Sequence, residues 1–233
     1  MVPTKTCLLA VCIPLIALSP LWAGDAASFV DLGFSPDGRI YMFAQYGVQS
    51  NTLRPWADLF VVDVPRNNFV SGGRISYTHD SPVLAGQDGS GALYRIIARN
   101  ASMAEQHGVT FLRQGQPLYI ALDNDPPPSG ERIEFRDFES GNSFQASLVP
   151  YLEGSGDSLK SSFYINLERT GPGGAKKSYT VGTPGIKRPL ITAYRIKKVM
   201  IAPHDGSIIF VIEMKRQVQN GYDIRYMIEA ARL

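Results

Sequence analysis

The sequence predicts a mainly β protein with antiparallel sheets, propeller-blade-like hairpins at the N- and C-terminal ends and one α-helix near residues 91–107. Three observations predict this. Short apolar runs alternate with turn residues, one turn sequence is nearly repeated at the other end of the chain, and a single stretch has helical periodicity. A β-sandwich is the alternative arrangement.

The first strand-forming region surrounds the turn Ser35-Pro36-Asp37-Gly38. Proline pre-sets φ, aspartate can accept hydrogen bonds from the following backbone, and glycine tolerates positive φ. Residues 40–45 and 58–64 follow as strands, separated by a loop at 46–55. Both strands are apolar on both faces, so we expect each to be covered on both sides.

A similar unit closes the chain. Pro203-His204-Asp205-Gly206 leads into an apolar strand at 208–212, a loop at 215–221 and a strand at 222–229. His204 is an extra residue, which predicts a looser or bulged turn. The similarity suggests equivalent structural roles for the two ends, which can lie next to each other.

The middle of the chain contains the predicted helix. Leu93, Ile96 and Ile97 fall on one helical face, Ser90 can act as N-cap, and Gly108 is placed to end the helix. Before the helix, Gly72-Gly73 marks a loop. After the helix, short strands are expected. The predicted strands are 109–112, 117–122, 133–138, 143–149, 163–168 and 177–181, with a stiff proline-rich connection at 123–130.

The strand at 163–168 alternates between apolar and polar residues. Phe163, Ile165 and Leu167 would face the core, while Tyr164, Asn166 and Glu168 would lie in or near water.

The N-terminus is typical of a secretory signal peptide. A short basic start precedes an apolar run of about a dozen residues, too short to span a bilayer. We expect cleavage after Ala23, with Ala26 as the alternative, and a single β-rich domain over residues 24–233. Cys7 and Cys12 are the only cysteines, so the mature protein would contain neither a disulfide nor a thiol nucleophile. The expected location is the periplasm or the exterior of the cell.

Two resemblances add to this prediction. The opening turn with the later Asp58-Leu59-Phe60-Val61-Val62-Asp63 resembles a blade of TolB-type β-propellers. Over nearly the whole chain, the order of segments is similar to a family of predicted secreted bacterial proteins of unknown function, matched by segments that include 179–182, 194–196 and 223–229. That resemblance implies export but no known activity or catalytic residues. TolB-type propellers bind other envelope proteins, so a binding role here is an analogy from fold.

No pattern of catalytic or metal-binding residues is recognisable. His79, His107 and His204 lack the short spacing of a zinc site, and Asp123-Asn124-Asp125 lacks the later ligands of a calcium loop. We therefore expect no catalytic residues, metal or cofactor. Paired carboxylates from different strands remain an open alternative, and the exposed aromatics Tyr46, Trp56 and Tyr151 could stack on sugars.

The charge distribution suggests one candidate surface. Basic residues predominate after Gly141, and Lys176, Lys177, Lys187 and Arg188 could face an anionic partner. The leading hypothesis is an exported, non-enzymatic binding or scaffold protein of the bacterial cell envelope. A carboxylate-dependent hydrolase of envelope carbohydrate and an anionic membrane-surface binder are the alternatives. An envelope protein or other envelope component is the expected partner, without nucleic acid or a transmembrane segment after signal removal.

Overall fold

The computed structural model describes residues 24–122, 132–219 and 221–233. The predicted signal peptide and the 123–130 connection lie outside the described residues. Within them, the chain is mainly antiparallel β with two helices. In chain order the elements are β1 Ser28–Phe34, β2 Ile40–Val48, β3 Pro55–Asp63, β4 Asn68–Thr78, α1 Ser90–Arg99, α2 Ala101–His107, β5 Gln116–Ile120, β6 Arg132–Arg136, β7 Ser143–Glu153, β8 Lys160–Thr170, β9 Lys176–Val181, β10 Arg188–Pro189, β11 Ile191–Ile201, β12 Ile208–Val218 and β13 Gly221–Ala231.

The described strands form three antiparallel sheets. The N-terminal sheet has the order β1-β2-β3-β4, and the central sheet has the order β13-β12-β11-β5. The outer sheet has the order β10-β8-β7-β6, with β9 also paired to β8. Long-range pairing inserts β5 beside β11, so the central sheet joins the middle of the chain to its C-terminal end.

The central sheet is covered on both faces, as its strand composition predicts. On β12, Phe210 and Ile212 pack against the outer sheet, whereas Ile209 and Val211 pack against the N-terminal sheet. All four side chains are fully buried. A strand without polar alternation is stable here because water is excluded from both sides.

The N-terminal sheet is also covered on both faces. Phe43 on β2 faces the central sheet, while Met42 and Ala44 face α1. Helix α1 contributes Leu93 and Ile96 to this second cluster. The resulting layers are helix, N-terminal sheet, central sheet and outer sheet, which confirms that both apolar strands near the N-terminus are covered on each side.

The single predicted helix is divided into two. Asn100, with φ −119° and ψ 22°, separates α1 from α2, and its side-chain amide donates to the Ile96 carbonyl oxygen at 2.7 Å. Such side-chain bonds to the backbone compete with helix continuation. Ser90 is the first residue of α1 rather than its cap: Gly89 occupies the cap position, and Asp88 accepts from the Ser90 N–H. Gly108 ends α2 in the left-handed conformation, as predicted.

Two loop predictions and one strand prediction are wrong, and the predicted loop at 46–55 is shorter because β2 continues to Val48 and β3 begins at Pro55. Residues 72–73 form a bulge inside β4, where a Cβ on Gly73 would lie 2.5 Å from the Val61 carbonyl oxygen. Residues 215–218 continue β12, and the Lys215 ammonium lies 4.0 Å from the centre of the Tyr222 ring. Residues 109–112 form a turn with one isolated bridge between Thr110 and Phe34. In β4 and β12, pairing with the adjacent strand extends through residues whose glycine-rich or polar composition predicts a loop.

The two ends of the described chain meet. Ala26 forms a parallel bridge with Ile224, and the Arg225 guanidinium lies 2.9 Å from the Asp25 carboxylate. Burial raises the pKa of Asp25, which Arg225 partly offsets. This contact fastens the N-terminal segment to β13 and agrees with the suggestion that the two ends are adjacent.

A polar junction joins all three sheets. Glu229 of the central sheet accepts a hydrogen bond from the Asn67 amide, 2.5 Å away in the turn after β3, and lies 3.4 Å from Arg188 of the outer sheet. Burial raises the pKa of this carboxyl group. Glu229, Asn67 and Arg188 are largely removed from water, so each needs the hydrogen bonds that the others supply. The junction therefore fixes the relative positions of the three sheets.

No helix in the described ranges is both long enough and apolar enough to cross a membrane.

Candidate functional site

The four predicted partner-binding cations lie at two ends of one sheet edge. Lys176 and Lys177 begin β9, whereas Lys187 and Arg188 lie at β10, and both strands pair with β8. Lys176 is opposite Thr170, and Arg188 is opposite Ser161. Thr170 and Ser161 are nine residues apart on β8, which corresponds to roughly 30 Å. The structure therefore does not bring the lysine pair of β9 close to Lys187 and Arg188.

Three of these cations have carboxylate partners. Lys176 lies 2.8 Å from Glu168, Lys187 lies 2.7 Å from Glu153, and Arg188 pairs with buried Glu229. The Arg188 guanidinium also lies 5.1 Å from the centre of the Phe163 ring, in a half-buried setting.

Lys177 differs from these three because it lies 4.8 Å above the Tyr179 ring. The anionic-partner surface stays a prediction.

The outer sheet presents a second, more continuous set of side chains. Its core face packs on the central sheet through residues such as Phe163 and Ile165. On the opposite face, strand register places polar side chains in rows across β6, β7, β8 and β9. One row is Arg132, Ser147, Asn166 and Thr180, and the next is Glu134, Gln145, Glu168 and Ser178.

We call the side chains of Gln145, Ser147, Asn166, Ser178 and Thr180 the polar face. Together with Glu168, which is paired with Lys176, they line a hollow of about 320 Å³ on the outer sheet.

Most of the polar face is available to a ligand. In the described ranges, Ser147, Asn166, Ser178 and Thr180 make no side-chain hydrogen bond to another protein group. Gln145 is the exception and donates to Glu134 at 3.0 Å. Asn166, Ser178 and Thr180 are exposed, so water satisfies them in the free protein and a ligand can replace that water.

Two tyrosines continue the same face toward the other end of the strands. Tyr151 on β7 and Tyr164 on β8 are diagonal neighbours across the sheet, stacked with ring centres 5.8 Å apart and ring planes inclined by 26°. Tyr151 is 48% exposed, and the adjacent Tyr164 hydroxyl raises the pKa of its phenol. We call these two residues the tyrosine pair. They line a hollow of about 490 Å³ with Ser162, Thr180 and Lys187 among its walls.

Thr180 lines both hollows, so they adjoin. Ser147 and Tyr151 are four residues apart on β7, a separation of about 13 Å along the strand. The polar face and the tyrosine pair therefore form one elongated surface.

The charges bordering this surface are largely paired with one another. Arg132 donates to Glu134 at 3.0 Å, and the Glu168 and Glu153 carboxylates have lysine partners. Hydrogen bonds from Arg132 and Gln145 lower the pKa of Glu134. The surface therefore combines hydrogen-bonding capacity with little unbalanced charge.

The histidines do not contribute to a metal site in the described residues. His79, His107 and His204 occupy a loop, the end of α2 and a turn, and no group of three or more potential metal ligands occurs there. The segment with Asp123-Asn124-Asp125 lies outside the described residues.

Sequence reasoning found only part of this surface. Tyr151 appears among the aromatics that could stack on sugars, but Trp56 is buried, with the Arg225 guanidinium 4.2 Å from its ring, and Tyr46 packs in the cluster around α1. The alternation of 163–168 correctly predicts a solvent-facing side containing Tyr164 and Asn166. What the sequence lacks is the strand register that aligns this side with β7 and β9.

Comparison with known proteins gives one match. Residues 42–232 match a family described as predicted secreted protein, DUF2259. No curated protein and no solved structure matches the chain.

Proposed function

We propose that this chain, which belongs to the DUF2259 family of predicted secreted proteins, is an exported non-enzymatic binding or scaffold protein of the bacterial cell envelope. Its binding surface is the polar face together with the tyrosine pair. Residues 1–23 are the signal peptide removed during export, and residues 24–233 are a single domain in the periplasm or outside the cell.

Cleavage after Ala23 is supported by the contacts of the next residues. The Asp25 backbone N–H donates to the Asp223 carboxylate at 3.1 Å, and the Asp25 carbonyl accepts from Ile224 at 2.9 Å. Cleavage after Ala26 would remove these bonds and the ion pair with Arg225. Mass spectrometry of the exported protein should give Gly24 as its first residue, and a protein beginning at Ala27 would contradict this proposal.

The carrying observation for binding is the set of exposed polar side chains without protein partners on one sheet face. In the described ranges, four adjacent side chains of this face make no hydrogen bond to a protein group, so a ligand can replace the water bound to them without breaking a protein contact. The two hollows adjoin at Thr180, so these side chains and the tyrosine pair share one continuous surface. The TolB-like resemblance of the terminal hairpins adds an analogy to proteins that bind envelope components.

The same surface fits carbohydrate hydrolysis less well. Glu134 and Glu168 stand in one row with β7 between them, about 10 Å apart at the backbone. A glycosidase needs one carboxyl group with a raised pKa to protonate the leaving group. Arg132 and Gln145 lower the pKa of Glu134, whose side chain is 68% exposed. These surroundings favour binding over general acid catalysis.

Site-specific photocrosslinking tests the binding surface without assuming a ligand. A photoreactive residue replacing Asn166 would probe the polar face, and the same replacement of Ser76 on exposed β4 is the matched control. In intact envelopes we expect adducts from position 166 and none from position 76. Equal adduct patterns, or no adduct from position 166, would contradict the proposed surface.

Activity provides the second test. Purified protein incubated with envelope polysaccharide should release no sugar. If sugar is released and Glu134→Gln abolishes the release, the protein is a hydrolase.

A further inference from the structure

We infer that the ligand of this surface is an uncharged carbohydrate chain. This inference rests on the proposed binding function and specifies the chemical class of the ligand. The inference depends on three properties: the aromatic pair, the partner-free hydroxyl and amide groups, and the internal pairing of nearby charges.

The tyrosine pair supplies a platform for a ring with apolar faces. The Tyr151 ring is half exposed at the end of the surface, and its stacking on Tyr164 fixes its orientation before a ligand arrives. An aromatic ring buries substantial apolar area while its hydroxyl stays wet. Sugar rings match this chemistry because they present C–H groups on a ring face and hydroxyl groups at its edge. Pre-organisation reduces the conformational entropy lost on binding.

The polar face supplies partners for those hydroxyl groups. The Asn166 amide provides donors and an acceptor, and the hydroxyls of Ser147, Ser178 and Thr180 each donate or accept. All four lie in two adjacent rows that register aligns across β7, β8 and β9. A ligand with many hydroxyl groups can use this mixture, whereas an apolar peptide side chain would bury these polar groups without partners.

The nearby charges argue against an anionic polymer. Glu134, Glu153 and Glu168 lie in or beside the surface and already neutralise the neighbouring cations, so an anionic polymer meets little net attraction there. Arg132, Lys187 and Lys176 are the cations nearest to these groups, and each is already in an ion pair with one of them. An uncharged ligand avoids breaking these pairs.

The elongated form of the surface favours a chain over a single sugar. The hollow at the tyrosine pair and the hollow at the polar face share Thr180, and the surface extends about 13 Å from Ser147 to Tyr151. One ring stacked on Tyr151 leaves the polar face free for the following units of the same chain.

Affinity electrophoresis of the exported protein through gels containing laminarin, hydroxyethyl cellulose, soluble starch or glycol chitin tests the inference. These probes are uncharged, except for glycol chitin, which carries few residual amines. We expect at least one of them to retard the wild-type protein, and the anionic polymer alginate to have no effect.

Variants locate the interaction. Tyr151→Ala and Asn166→Ala should each weaken retardation by roughly three- to tenfold, because each removes one stacking or hydrogen-bonding contact. Tyr94→Ala removes a tyrosine that is more exposed than Tyr151, 69% against 48%, and should leave retardation unchanged. Thermal unfolding of each variant establishes that it is folded.

The outcomes separate this inference from the proposed function. Failure of every uncharged polymer to retard the wild-type protein, or equal loss in Tyr151→Ala and Tyr94→Ala, would overturn the carbohydrate assignment. Crosslinks from position 166 to a protein would then still support the binding surface. Absence of those crosslinks would remove the proposed function itself.

Discussion

Gly38 and Pro203 are in direct contact: a Cβ on Gly38 would lie 1.7 Å from the Pro203 carbonyl oxygen. The two similar turns near the ends of the chain therefore pack against each other. Gly38 also has φ +72°, so glycine is required there both for backbone conformation and for space. The sequence predicts only the first requirement.

Gly38→Val should destabilise the fold strongly. Turn strain alone would cost about 1–2 kcal/mol, and displacing the Pro203 carbonyl should bring the loss to about 3 kcal/mol or more. Urea unfolding of wild type and variant measures the difference.

Gly206→Val is the matched control. Gly206 has the same φ of +72°, but a Cβ added there would meet no atom of the described residues within 4 Å. Its loss should be limited to about 1–2 kcal/mol. Equal losses at the two positions would mean that the contact between the turns contributes nothing to stability.

Arg225→Ala should weaken the attachment of the N-terminal segment to β13. The Arg225 guanidinium lies 2.9 Å from buried Asp25 and donates to its carbonyl oxygen, and its loss should cost about 2–4 kcal/mol because the carboxylate is left without its partner. Arg66→Ala breaks an ion pair of an 83% exposed arginine with Asp63 and should cost less than about 1 kcal/mol. Similar unfolding free energies for the two variants would contradict this role of Arg225.

Glu229→Gln should change the pH dependence of stability. Burial raises the pKa of Glu229 above its ordinary value of 4.5, so the folded state binds more protons than the unfolded state above that pH. The stabilising contribution of this group is therefore complete below pH 4.5 and is lost as pH rises through the folded pKa.

Urea unfolding from about pH 4 to about pH 8 measures this effect. The variant should lose less stability than wild type as the pH increases. Glu139→Gln, at an exposed turn position, should follow the wild-type curve. A variant curve parallel to wild type would show that Glu229 does not titrate with a raised pKa.

The anionic-partner prediction has a direct test at Lys177. Its ammonium lies over the Tyr179 ring, so Lys177→Glu reverses a charge without breaking an ion pair. If the cationic surface binds membranes, cosedimentation with vesicles rich in phosphatidylglycerol should fall with added salt and fall further in this variant. Unchanged sedimentation would rule out a contribution from Lys177. Charge reversal at the exposed Lys176 and Lys187 extends the test, whereas Arg188 is needed as the partner of buried Glu229.

Much of the fold follows from local patterns. The double-sided apolar strands at 40–45 and 208–212 predict coverage on both faces, and the central layers of the structure confirm it. Alternation at 163–168 predicts one solvent-facing side. Gly72-Gly73 leads to a wrong loop prediction because glycine favours a bulge within a paired strand as well as a loop.

The candidate site was only partly predictable. Tyr151 is recognisable as an aromatic without a core pattern, yet its partner Tyr164 and the polar face are brought beside it by pairing across β7, β8 and β9. The cations Lys176 and Arg188, close in sequence, are separated because they pair with opposite ends of β8.

By itself, the sequence determined the mainly antiparallel β class, the turn chemistry and the strands that require two-sided burial, because residue type and short-range alternation specify these properties. Only the tertiary structure decided which turns touch, which charges are neutralised and which polar side chains share one surface. Those relationships depend on strand register and sheet stacking, where residues far apart in sequence select one another through packing and hydrogen bonding.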